Sequence, residues 1–310
     1  MMEKLKEIEY VIADPTKNIT ILVKTPVPAA KRAELSQLLM FINPSCEQVG
    51  FLNNVEENAD EAPADLSEAA GCNAGKNFDI RLDMMGGEFC GNATMATASY
   101  FAFTKDLEVG ESMRVNVSSS GVTNTLPVDI VCGKDNWGKT YTCTIEMPGA
   151  EKIGEIDGCP VVYLPGIAHM IVPAGAASIE ECEMVIREYQ KIAGTPAFGM
   201  LIWDEEKSFM TPLVYVSDTD SCVRENGCAT GSTAIGIWRA STKNATETDV
   251  HQPGGTINIK LSTVGTIGSG PNVPLVDKSI GTLGPDPIVP TLTSIVLLVS
   301  TKETLRTSII

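Results

Sequence analysis

Gly86-Gly87-Glu88-Phe89-Cys90-Gly91-Asn92-Ala93-Thr94 and Glu225-Asn226-Gly227-Cys228-Ala229-Thr230-Gly231-Ser232 decide the reading of this 310-residue chain. Each stretch sets a cysteine at the head of a run of tiny residues that reads as the start of a helix. Aligned on the cysteines, Gly91/Ala229, Thr94/Ser232, Ala96/Ala234 and Ala98/Gly236 fall at equal offsets. The two cysteines lie about half a chain length apart, which marks an internal duplication.

The flanking sequence supports two like halves. In the first, Tyr10 to Val27 is strand-like, Ala29 to Phe41 reads as a short helix, and Phe78 to Met84 alternates as a strand before Gly86-Gly87. Helix follows from Ala93 to Phe103, then strands at Met113 to Val117, Thr123 to Val131 and Lys139 to Met147. The second half has strands at Val161 to Leu164, Met170 to Val172, Met200 to Trp203 and Leu213 to Val216. Its helices are Ser178 to Ala193, with Ser178 as N-cap, and Ser232 to Ala240; Ile257 to Leu261 is a further strand. Helices so rich in Ala, Gly, Ser and Thr make poor surface helices and suit central positions wrapped by sheet. The predicted class is α+β: two similar domains, each a mostly antiparallel sheet around a central helix, with the site in the cleft. The expected bounds are 1–147 with Cys90, 148–265 with Cys228, and a tail, 266–310, whose strand Ser294 to Val299 returns to the first domain.

Composition narrows the function. A net charge of -16 argues against nucleic acid or an anionic membrane as partner. No apolar run approaches the roughly 20 residues that span a bilayer, and the first residues lack the apolar core of a signal peptide. The nine cysteines show no CxxC pair and no zinc spacing. Cys46, Cys132, Cys143, Cys159 and Cys182 read as reduced, buried small hydrophobes of a cytoplasmic protein. Gly71 to Asn77 is one residue short of a phosphate loop and lacks the Ser or Thr after Lys76, which removes nucleotide binding. Asn53 to Ala64 is an acidic, solvated stretch. His251 reads as a loop residue, and Arg224 as pointing to solvent. No metal and no cofactor are expected.

The first N–H groups of a helix lack internal partners and, with the macrodipole, bind anions. A cysteine there is expected to have a lowered pKa and to serve as a base. Two such turns facing each other would hold one carboxylate between two sets of donors, with a thiol on either side of the carbon attached to it. That arrangement suits racemisation of an α-amino acid: one thiolate removes the α-proton and the opposite thiol returns one to the other face.

The two cysteine stretches resemble the paired motifs of the diaminopimelate epimerase superfamily, cofactor-independent amino-acid racemases and epimerases. Pro165-Gly166-Ile167-Ala168-His169-Met170-Ile171-Val172 resembles that family's Gly-Asn-Pro-His-x-Val segment. The resemblance implies Cys90 and Cys228 as the acid/base pair. It places the backbone amides of Gly91, Asn92, Ala229 and Thr230 on the substrate carboxylate, with His169 and Glu225 as supporting polar residues. It also implies a homodimer acting on a free amino acid. The family's N-terminal His-Gly-x-Gly-Asn-Asp-Phe is absent, with Asp14 to Asn18 the nearest polar turn, and Val216 to Glu225 departs from the segment carrying the distal carboxylate clamp. These departures resemble the histidine-racemase branch, with diaminopimelate epimerase as the alternative substrate class. The non-enzymatic alternative is an amino-acid-binding or thiol redox-sensing protein on the same fold. The side-chain pocket is expected from loops around Pro44 to Asn54, Ala197 to Gly199 and Ser217 to Arg224.

Overall fold

The computed structural model describes residues 6–54, 78–136, 138–263 and 288–307. The stretch at Gly71 to Asn77 and most of the acidic stretch lie outside the described residues. The chain divides into two compact units.

The first unit holds β1 (Lys6–Pro15), β2 (Thr20–Val23), α1 (Ala29–Ile42), β3 (Gln48–Asn54), β4 (Ile80–Met84), α2 (Gly91–Thr104), β5 (Ser112–Ser119), β6 (Leu126–Lys134) and β7 (Lys139–Glu146). The second holds β8 (Lys152–Ile156), β9 (Cys159–Leu164), β10 (Ile167–Pro173), α3 (Ile179–Ala193), β11 (Ala197–Asp204), β12 (Phe209–Val216), β13 (Ser221–Arg224), α4 (Ala229–Lys243), β14 (Glu247–Gln252) and β15 (Gly255–Thr263). The last strand, β16 (Ile288–Thr307), begins in the second unit, pairing β15 up to Thr293, and continues in the first, pairing β1.

One order of pairings runs through both units. β1–β2, β3–β4 and β5–β6 are antiparallel, while β2–β3 and β4–β5 are parallel and span α1 and α2. In the second unit β9–β10, β11–β12 and β14–β15 are antiparallel, while β10–β11 and β12–β14 are parallel and span α3 and α4. A parallel pair needs a long crossover, so each helix sits where the connection requires one. The strand beside the first hairpin differs: β8 supplies it in the second unit and β16 in the first.

Ordinary patterning builds the scaffold. β6 alternates, burying Leu126, Val128, Ile130 and Cys132. α3 buries Cys182 and Ile186, one helical turn apart, and carries a full capping box between Ser178 and Glu181. α2 and α4 follow another rule. Gly91 through Ser99 and Ala229 through Ile237 are all buried, with strands packed on more than one side of each helix. Small side chains permit that approach: a Cβ on Gly236 would lie 2.6 Å from Ile259 Cγ2.

Several elements differ from expectation. The stretch from Tyr10 to Val27 contains a hairpin, because Thr16 and Lys17 take positive φ while Asp14 accepts from the Lys17 backbone N–H at 2.7 Å. The positions expected as pocket loops fall largely in strands: β3 takes up Gln48 to Asn54, β11 includes Ala197 to Gly199, and β13 covers Ser221 to Arg224. On β3 the polar Gln48 masked the strand pattern, because its partners are buried hydrogen-bonding groups of other elements. His251 lies in β14 rather than a loop, its Nδ1 2.9 Å from Thr256 Oγ1 on β15. Arg224 is exposed on β13. No disulfide joins the described cysteines; Cys46, Cys132, Cys143 and Cys182 are buried, and Cys159 and Cys222 are half-buried. No described helix is long and apolar enough to cross a membrane.

Candidate active site

Cys90 is the N-cap of α2 and Cys228 the N-cap of α4, in nearly the same backbone conformation (φ -130°, ψ 113° and φ -125°, ψ 109°). Each sulfur accepts the backbone N–H three residues on, from Ala93 at 3.5 Å and from Gly231 at 3.3 Å. Each cysteine carbonyl accepts the next N–H, from Thr94 and Ser232, and also the hydroxyl of that same residue, at 2.8 Å and 2.7 Å. The offset match of Thr94 with Ser232 is therefore a matched structural clasp. The N–H groups of Gly91 and Asn92, and of Ala229 and Thr230, stand first in each helix, outside the helix's own ladder, where the macrodipole favours an anion.

The surroundings of the two thiols are different. The Cys90 thiol donates to the Gln48 side-chain carbonyl at 3.0 Å. Gln48 is buried in turn against Asn18 and Thr20. Cys228 faces Glu225, whose carboxylate accepts from its thiol, and Thr230, whose hydroxyl lies 3.5 Å from its sulfur. Burial first, and the Glu225 charge second, push the Cys228 thiol well above its ordinary value; the Thr230 and Gly231 contacts work the other way. This corrects the expectation that the helix start would lower it. One backbone N–H does not offset complete desolvation beside a carboxylate.

His169, on β10, is fully buried. Its Nε2 lies 2.9 Å from Thr230 Oγ1, and its Nδ1 has no hydrogen-bond partner. Burial lowers its pKa to about 3, so the ring is neutral. The ring occupies the space a side chain at position 199 would need: a Cβ on Gly199 would sit 2.1 Å from Nδ1. That requirement explains the glycine inside β11. Glu225 is buried, directly after β13.

The structure thus brings Thr230, His169 and Glu225 around Cys228, while Gly91 and Asn92 follow Cys90. Sequence reasoning missed Gln48, Asn18, Thr20 and Gln252. Gln252 accepts the Cys228 N–H at 2.6 Å and donates to Ser232 Oγ at 2.9 Å, bracing the start of α4. The available signal was polar residues at strand positions: Thr20 and Gln48 are register partners across β2 and β3. Among the described residues no group of three or more His, Cys, Asp or Glu side chains could hold a metal ion.

Residues 7–266 match the family model described as the histidine racemase CntK N-terminal domain. The chain belongs to the histidine racemase family. It is an isomerase. A histidine racemase of Fusobacterium nucleatum is 30% identical over 264 residues, covering 82% of this chain and 89% of that protein. One of Staphylococcus aureus is 27% identical over 279 residues, covering 84% and 91%. In fold, this histidine racemase family member resembles a hydroxyproline epimerase from Agrobacterium vitis solved with bound trans-4-OH-L-proline. The TM-score is 0.61 at 10% identity, over 99% of this chain and 92% of that one.

Proposed function

We propose that this chain racemises a free amino acid, histidine foremost, without a cofactor, using Cys90 and Cys228 as proton carriers for the two faces of one α-carbon. The observation that carries the reading is the pair of matched N-cap thiols, one in each unit, in a chain of the histidine racemase family. The two units then act as the two domains of a diaminopimelate-epimerase-like fold, each presenting one cysteine turn.

In this reading the substrate carboxylate takes the N–H groups of Gly91, Asn92, Ala229 and Thr230. One thiolate takes the α-hydrogen as a proton, and the electron pair left on carbon spreads into the carboxylate. The helix N-termini stabilise that charge. The opposite thiol then protonates the carbon, and the roles exchange for the reverse direction, so the two cysteines titrate as a coupled pair. Glu225, which accepts the Cys228 thiol, receives its proton when the thiolate forms. His169 is a positioning residue: it is buried behind Thr230 and acts on Cys228 through that hydroxyl.

The experiment is incubation with L-histidine in deuterated water, followed by chiral separation and mass analysis, beside a panel of other amino acids that includes diaminopimelate. D-histidine labelled at the α-carbon is expected. Cys90→Ala and Cys228→Ala are each expected to lose about 10²–10⁴ in rate, the usual worth of a positioned proton carrier. Full activity in either single variant would sink the two-thiol mechanism, and racemisation of a different amino acid in preference to histidine would overturn the substrate.

A further inference from the structure

Behind Cys90 runs a chain of buried side-chain hydrogen bonds that all point one way. Glu47, Asn18 and Gln48 are 7%, 0% and 4% exposed. Asn18 donates its Nδ2 to Glu47 Oε2 at 2.6 Å. Gln48 donates its Nε2 to Asn18 Oδ1, and also to Thr20 Oγ1 at 2.7 Å. Thr20 spends its own proton on the Asn18 carbonyl at 3.0 Å. The Gln48 carbonyl oxygen is left to face the Cys90 sulfur, which donates to it.

The direction of the chain is fixed at its far end. Glu47 Oε2 accepts there, so it takes the NH₂ side of Asn18. Asn18 then presents its oxygen to Gln48, which requires the NH₂ side of Gln48. Turning the Gln48 amide would set its oxygen against Asn18 Oδ1 and against the Thr20 oxygen, whose proton is already used. Turning Asn18 as well would set an oxygen against the Glu47 carboxylate. Each reversal buries unpaired or repelling acceptors.

We propose that Glu47, through Asn18, makes Gln48 a positioning residue that holds Cys90 as a hydrogen-bond donor, so that Cys90 rests as the proton-bearing thiol of the pair. A fixed acceptor stabilises S–H and offers nothing to a thiolate. This rests on the racemase reading, to which it adds a resting state: the proton waiting for delivery is on Cys90, and the negative charge opposite it is carried by the Glu225 carboxylate that accepts the Cys228 thiol.

The test reads thiol chemistry rather than turnover. The full chain without substrate is alkylated with iodoacetamide at neutral pH, and each cysteine is followed by mass spectrometry. Glu47→Gln frees the amides to reverse and is expected to raise the Cys90 rate about tenfold, because the thiolate is the species that is alkylated. Cys46, buried next to Glu47, is expected to stay protected, which separates this effect from local unfolding. In a Gln48→Met background there is no amide to turn, and adding Glu47→Gln is expected to change the Cys90 rate less than about twofold. An equal rise in both backgrounds would overturn the proposal, because Glu47 would then act only as a charge at a distance. No rise with Glu47→Gln in the native background would overturn it too. If Glu47→Gln fails to fold, Asn18→Leu cuts the same chain in its middle; the same rise is expected, and an unchanged rate overturns the proposal. Chiral turnover of the native protein is measured in parallel. Turnover without the alkylation pattern removes the chain alone, and the pattern without turnover of any amino acid removes the racemase reading alone.

Discussion

The Cys90 turn and the Cys228 turn share a backbone and differ in what stands behind the sulfur. Both cysteines cap a buried helix, and both are clasped by a hydroxyl four residues on. Cys90, half-buried, meets a neutral amide whose orientation is fixed by a buried chain. Cys228, fully buried, meets a carboxylate and a hydroxyl that rests on a neutral histidine. Duplication preserved the part that makes an N-terminal donor set. The flanking strands replaced the part that sets the state of each thiol. Similar local sequences therefore do not give equivalent acids.

Three predictions press on the Cys228 side of this difference. The largest effect is expected for Thr230→Val. It removes the hydroxyl that Cys228 and His169 share and leaves the His169 ring with no partner at either nitrogen. Stability to urea is expected to fall by about 1–3 kcal/mol. A loss no larger than that of Thr94→Val at the matching clasp would mean that the two turns are more alike than their surroundings suggest.

Next comes the acid limb of stability. His169 has a pKa near 3 in the folded chain against 6.5 for an ordinary imidazole. Below pH 6.5 the unfolded chain gains a proton that the folded chain does not, so this group costs stability as pH falls. The native protein is expected to lose about 2 kcal/mol between pH 7 and pH 5 that His169→Gln does not lose. Parallel stability curves for the two proteins over that range would show that His169 is not held neutral.

The smallest effect is expected from Glu225→Gln. Burial remains, but the charge beside Cys228 goes, and that charge is the second cause of the raised thiol pKa. Cys228 alkylation is expected to rise by roughly tenfold, because the thiolate is the reactive form, while racemisation slows because the carboxylate that takes the thiol proton is lost. A Cys228 rate insensitive to the substitution would leave burial as the whole cause.

Much of this was legible in the chain. The cysteine turns, the offset match at Thr94 and Ser232, and the Ala- and Gly-rich helices are local patterns. Helix starts and small-residue packing depend on neighbours within a few positions, so sequence reports them. The capping box at Ser178 is legible for the same reason. Gln48, Asn18 and Gln252 were not. Their partners lie 20 to 42 residues away, in other elements and turns, and a polar residue in a strand looks like a loop until the partner is seen. The same blindness turned Gln48 and the start of β3 into an expected loop.

By itself, the sequence determined that two helix-capping cysteines recur in two like halves, because both the cap and the repeat are written in residue type and spacing. Only the tertiary structure decided which way each thiol's proton points. That depends on burial and on hydrogen-bond acceptors: Gln48 reaches Cys90 from β3, 42 residues away, and Glu225, though only three residues before Cys228, is buried with it and accepts its thiol. Desolvation and a neighbouring charge outweigh a single helix-start N–H, and neither is visible before the chain has folded.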